Sequence, residues 1–188
     1  IFAVAQLARS ISNLPFYISN GNTPQGLFRM NGFDVSKSAA IGPTTNIQLM
    51  MPHETTPGHF LKDSLVKDTV WSEELYKRLL PETLRSNITL YQSYYAGKAG
   101  RTEIIAHGTT VNPDYYRGQP YFPFTPTQGC LCCKEVWSGP DGRRTQSDQQ
   151  LLVDALRKAG GANGYLLVVE IDDAKMPVRP ADVQAFLR

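Results

Sequence analysis

Ile104-Ile105-Ala106-His107-Gly108, followed downstream by Thr127-Gln128-Gly129-Cys130-Leu131-Cys132, decides how this chain reads. The first stretch is a short apolar run of buried-strand type that delivers an imidazole at its end. The second sets a thiol directly after a glycine in a turn-prone context. Together they supply a nucleophile, a base and a sharp bend, the parts of a thiol acyl-transfer site. A bend at Gly129 also lets successive backbone N–H groups point at one spot. Such a nest suits the oxyanion of a tetrahedral intermediate. Taken singly, a free cysteine is most often a small buried hydrophobe, and a histidine at a strand end is often structural.

Composition bounds the alternatives. At 188 residues the chain reads as one domain. That length buries roughly 70% of the unfolded surface, so neither metal nor disulfide is needed to hold a core. A net charge of +2 argues against a nucleic-acid or anionic-membrane partner. No apolar run approaches the roughly 18 residues of a membrane helix. The three cysteines, Cys130, Cys132 and Cys133, are too clustered for a disulfide framework. A start at Ile1 suggests a processed product, with a leader removed. Asn87-Ile88-Thr89 matches a glycosylation sequon, a tripeptide that chance often supplies.

Working outward along the chain, Val4, Leu7, Ile11 and Leu14 line one face of an opening helix that Pro15 ends. A short strand at 16–19 and a turn at 20–22 follow. Thr23-Pro24-Gln25-Gly26 is a second turn, leading into a strand at Leu27-Phe28-Arg29-Met30. Ile47 to Met51 reads as a strand, and 57–66 and 71–80 as helices, the second stopped by Pro81. Ile88 to Tyr95 fits helix or strand. Residues 111–128, with four prolines, read as a structured loop. A helix holds Leu151 to Leu156 and ends at Gly160-Gly161. Tyr165 to Ile171 is apolar enough for the centre of a sheet. Ala181 to Leu187 forms a last helix with Pro180 near its start. Composition and pattern alone support an α+β domain.

In order along the chain, Gly21-Asn22-Thr23-Pro24-Gln25-Gly26-Leu27-Phe28, Ile104 to Thr109 and Thr127 to Leu131 resemble the catalytic domain of the L,D-transpeptidases. These are cysteine enzymes that remodel bacterial peptidoglycan. The resemblance covers about residues 15–135, and the Gly-Cys turn with its upstream His-Gly is the specific part. It implies a mainly β fold, a sandwich or barrel-like pair of sheets with peripheral helices, over 1–188 as a single catalytic domain, either alone or as the C-terminal part of a longer protein. It makes Cys130 the nucleophile, His107 the base and the Gly108 carbonyl the group that orients the imidazole. The oxyanion hole would be Gly129, Cys130 and Leu131, and Thr127 would open the motif.

Two positions and one spacing depart from the family, the 130 − 107 = 23 positions from His107 to Cys130 being longer than typical. Gln128 stands where a second histidine is usual, and Cys132 where an arginine or asparagine is. Thr127, Gln128 and Cys132 are the expected substrate contacts, with Arg101 a substitute for the missing cation beside Arg117 and Lys134. The implied activity is attack by the Cys130 thiolate on a peptidoglycan tetrapeptide stem, loss of terminal D-Ala, and acyl transfer to an amine of another stem. Water as acceptor would make the same site an L,D-carboxypeptidase, and loss of catalysis would leave a wall-binding module. No cofactor or metal is implied, the partner is the stem peptide, and the expected place is the periplasm or cell envelope. His53-Glu54-Thr55-Thr56-Pro57-Gly58-His59 is no zinc-protease helix, because its histidines are six apart around Pro57-Gly58. Zinc held by the three cysteines and His107 is disfavoured by the vicinal pair Cys132-Cys133.

Overall fold

The structure is a computed structural model that describes residues 23–37, 43–108, 129–138, 140–141, 143–172 and 178–186. The expected opening helix, the strand at 16–19, the Pro-rich stretch 111–126, Thr127 and Gln128 lie outside these residues. The strands are β1 (Gly26–Asp34), β2 (Asn46–Met50), β3 (Ile105–Gly108), β4 (Leu131–Cys133), β5 (Glu135–Trp137), β6 (Arg144–Ser147) and β7 (Tyr165–Val168). The helices are α1 (Pro57–Leu61), α2 (Glu73–Leu79), α3 (Gln92–Lys98), α4 (Asp148–Lys158) and α5 (Pro180–Phe186). Five strands form a curled mixed sheet in the order β4-β3-β2-β1-β7, and β5 and β6 form a separate hairpin. Strand and helix content are roughly equal.

Period-two alternation sorts the sheet's side chains into two layers. Phe28, Ile47, Leu49, Ala106 and Leu131 point to one side and pack with Val153 of α4 and Ala96 of α3 into the first core cluster. Leu27 joins a second cluster of Phe60, Trp71, Leu75, Tyr76, Leu80, Leu90, Tyr91 and Tyr94. The start of β1 is therefore covered on both faces, which is why its first residues are all apolar or buried. Tyr76 keeps its hydroxyl satisfied in the second cluster. It donates to the Leu90 carbonyl at 2.6 Å and accepts from the Leu27 N–H at 2.9 Å.

Local signals place the helix ends. Ser72 caps α2 by accepting from the Leu75 N–H at 3.1 Å, and Glu73 and Glu74 sit in the first turn where the helix dipole favours them. Ser147 caps α4 in the same way, through the Gln150 N–H at 2.9 Å. The helix expected over 57–66 stops at Leu61, because Lys62 turns left-handed (φ 52°) and its N–H closes onto the His59 carbonyl at 3.1 Å. Ile88–Tyr91 is a 3-10 turn that runs on into α3. The strand expected at the centre of the sheet, β7, stands at one edge of it, opposite β4 at the other, and pairs with β1 alone among the described residues. Its side chains are only half-buried, consistent with that edge place.

Candidate active site

β3 and β4 bring the two motifs together. They pair in parallel, with Ala106 opposite Leu131, His107 opposite Cys132 and Gly108 opposite Cys133. Ala106 and Leu131 face the first core cluster, so His107 and Cys132 share the other face. The strand expected to present the imidazole does so. The turn ahead of β4 bends at Gly129, whose φ of 109° lies in the region that favours glycine.

The imidazole is held at both nitrogens. Nδ1 lies 2.5 Å from the Gly108 carbonyl oxygen, and Nε2 lies 3.5 Å from Cys132 Sγ. A carbonyl only accepts, so Nδ1 carries the proton and the Nε2 lone pair faces the thiol. Burial holds the imidazole below its usual pKa, against opposing pulls from the Gly108 carbonyl and the Glu135 carboxylate. Burial also pushes the Cys132 thiol up to about 12, with the neighbouring thiols adding to the rise. At neutral pH the pair is a neutral thiol donating to a neutral imidazole.

His107 thus meets Cys132 where Cys130 was the expected partner. The reason is register: Cys130 precedes β4 by one residue and falls two positions short of the imidazole's opposite number. Cys132, expected to touch substrate, is 3% exposed and turned to His107. Cys130 is half-exposed instead, and its Sγ lies 3.7 Å from the Glu103 carbonyl. It lines a cavity of about 570 Å³ together with Asp34, Asn46, Gln48, Arg101 and Glu103.

Arg101, expected as the substrate cation, does reach this cavity beside Cys130. Its guanidinium is buried and is pushed down to about 10 by that burial, with Cys130 pulling the other way. Burial raises the Cys130 thiol, while the Ile105 N–H and the Arg101 charge draw it back. Leu131, expected in the oxyanion hole, stands in the β4 ladder opposite Ala106. The cavity sets one half-buried thiol near one buried cation, with the Asp34 and Glu103 carboxylates in the same lining.

Several residues that shape the site were not singled out from the sequence. Glu135 is fully buried and packs against Gly108. Gln149, also fully buried, donates to the Thr45 and Ala106 carbonyls at 3.0 Å each, fastening α4 to the strands that carry the site. The Ser147-Asp148 helix start was the signal available for Gln149, since it places that residue in a first turn. His53, in a left-handed turn (φ 71°), stacks edge-on against Tyr94 at 4.7 Å, a structural loop as its spacing predicts. Among the described residues no group of three or more His, Cys, Asp or Glu side chains is arranged to hold a metal. Cys132 and Cys133 alternate across β4 and so turn to opposite faces. No described helix is long and apolar enough to cross a membrane. No known protein family, curated protein or solved structure matches this chain.

Proposed function

We propose that this chain is a cysteine acyltransferase of the L,D-transpeptidase kind, acting on peptidoglycan stem peptides, with His107 as its general base. The observation that carries the reading is the row Cys132 Sγ, His107 Nε2, His107 Nδ1, Gly108 carbonyl, with spacings of 3.5 and 2.5 Å at its two ends. A thiol, a base and a group that orients the base are the components of nucleophilic thiol catalysis. The thiol that the imidazole reaches takes the nucleophile's role, and because it is 3% exposed the stem peptide has to uncover it on binding. Cys132 Sγ gives its proton to Nε2 and attacks the carbonyl of the third stem residue. Terminal D-Ala leaves with that proton, and a thioester remains. The amine of a second stem displaces the sulfur and forms the cross-link.

A second reading keeps the site and exchanges the sulfurs. Cys130 is the thiol on the cavity wall beside Arg101, and it holds the Gly-Cys position of the resemblance. One experiment separates the two. The protein is incubated with tetrapeptide muropeptides, acid-quenched, digested and searched by mass spectrometry for the acylated peptide. An adduct on Cys132, lost in Cys132→Ala and in His107→Ala, supports the first reading. An adduct on Cys130 transfers the role to that residue. No adduct and no release of D-Ala would sink acyl transfer to or from these substrates altogether.

A further inference from the structure

Behind the strand that carries His107 lies an ionisable side chain that the acyl-transfer chemistry has not yet used. Glu135 opens β5 and is fully buried. Its carboxylate lies so close under Gly108 that a Cβ on that residue would collide with Glu135 Cδ and with both carboxylate oxygens. Ser147 Oγ donates a hydrogen bond to Oε1, and Arg144 Nη1 stands 3.9 Å from the same oxygen. Oε2 has no hydrogen-bond partner among the described residues. A buried carboxylate with one oxygen unsatisfied costs folding free energy, so its place against the residue that orients the imidazole calls for a physical account.

We propose that Glu135 is a positioning residue for His107, pressing on Gly108 so that its carbonyl stays on Nδ1 and supplying the negative charge that stabilises the imidazolium. The inference rests on His107 acting as a base toward a thiol, whatever the acyl donor. When the proton moves from Cys132 Sγ to Nε2, a thiolate and an imidazolium form where two neutral groups stood. The new cation shares its charge with Nδ1–H, which is already bonded to the Gly108 carbonyl, and the carboxylate lies immediately behind that glycine. An opposite charge at short range favours the charged form of the ring. Electrostatics agree in sign, since Glu135 pulls the His107 pKa upward against burial. Among the described residues the groups that face this arrangement include Cys132 and Cys133 from β4, Glu135 from β5, which acts on Cys133, and Arg144 from β6, which acts on Glu135. Asp148 of α4 also acts on Cys133, so it shares that neighbour with Glu135.

The chain has three histidines, so imidazole resonances in an NMR titration are assignable with His53→Gln and His59→Gln. Glu135→Gln keeps the shape and removes the charge. The expected result is a lower titration midpoint for His107 with those of His53 and His59 unmoved. Arg144→Gln, at a half-buried position, removes the cation facing Glu135 and should raise the His107 midpoint. This opposite shift carries the test alone if Glu135→Gln does not fold. Should acyl transfer be measurable, Glu135→Gln lowers kcat by up to about tenfold for each pKa unit that His107 loses, with KM held. A His107 midpoint that stays put in the folded variants, or moves the same way in both, overturns the proposal. The predicted shifts in a protein that transfers no acyl group would uphold it and remove only the peptidoglycan reading.

Discussion

Thr23 Oγ1 donates a 2.7 Å hydrogen bond to the Gly129 carbonyl, joining two turns that lie 106 positions apart in sequence. The first turn leads into β1, and the second leads into β4 and carries Cys130. The sheet places β1 and β4 two strands apart, so this contact bridges β2 and β3 at their ends. Thr23→Val keeps the side-chain shape and removes the donor. The expected cost is about 1 kcal/mol in urea unfolding. Cys130 should also alkylate faster, because its turn loses a tether. Unchanged stability together with unchanged Cys130 reactivity would count against a coupling role for this bond.

The three thiols should react in an order set by exposure. Cys130 is half-exposed, whereas Cys132 and Cys133 are 3% and 2% exposed. Iodoacetamide followed by peptide mapping should label Cys130 first. Labelling of all three should speed up with pH well beyond neutrality, since burial raises each thiol's pKa. Faster labelling of Cys132 than of Cys130 in the folded protein would contradict the described packing.

Stability should peak between about pH 6.5 and 9. His107 has its pKa lowered from 6.5, so as pH falls through that value the unfolded chain takes up a proton that the folded chain declines. The stabilisation is complete above 6.5 and is lost on acidification toward the lower folded value. Cys132 and Cys133 are raised from 9.0 to about 12 and about 11. Above pH 9 the unfolded chain releases protons that the folded chain keeps, and stability falls again. Chemical denaturation across pH tests both limbs. Cys132→Ala should flatten the alkaline limb and leave the acidic one, and an unaltered alkaline limb would refute the assignment.

Gly108→Ala should destabilise the fold by about 2–3 kcal/mol, because the new methyl meets the buried Glu135 carboxylate. Glu135→Ala opens that space. The double variant should therefore be less damaged than the sum of the two single changes, a coupling readable in a thermal or urea double-mutant cycle. Strict additivity would mean that the two residues are not in contact.

Much of the framework was legible from local pattern. The apolar run 104–106 announced β3, the Ile47–Met51 run announced β2, and a strand directly after Gly26 is where β1 begins. The His107 and Gly108 pairing was also legible in outline, since adjacent residues need no long-range information to meet. Tyr165 to Val168 misled because an apolar strand at an edge covered by half-buried side chains has the same composition as a central one. Glu135 was invisible for another reason: its burial depends on Ser147, Arg144 and Gly108, brought to it by a hairpin and by the neighbouring strand.

Cys130 and Cys132 are two residues apart, so in extended chain they share a face, and alternation alone set that thiol pair on one side. Which of them faces the imidazole is a question of register, and register is not local. It follows from Leu131 settling opposite Ala106 in the core, from Gln149 fastening the Ala106 carbonyl, and from Thr23 holding Gly129. A slip of two residues would keep every side chain on its face and exchange one sulfur for the other. The sequence by itself determined that two thiols would share a face and that an imidazole would end a strand, and tertiary packing decided that they meet and which thiol the imidazole reaches.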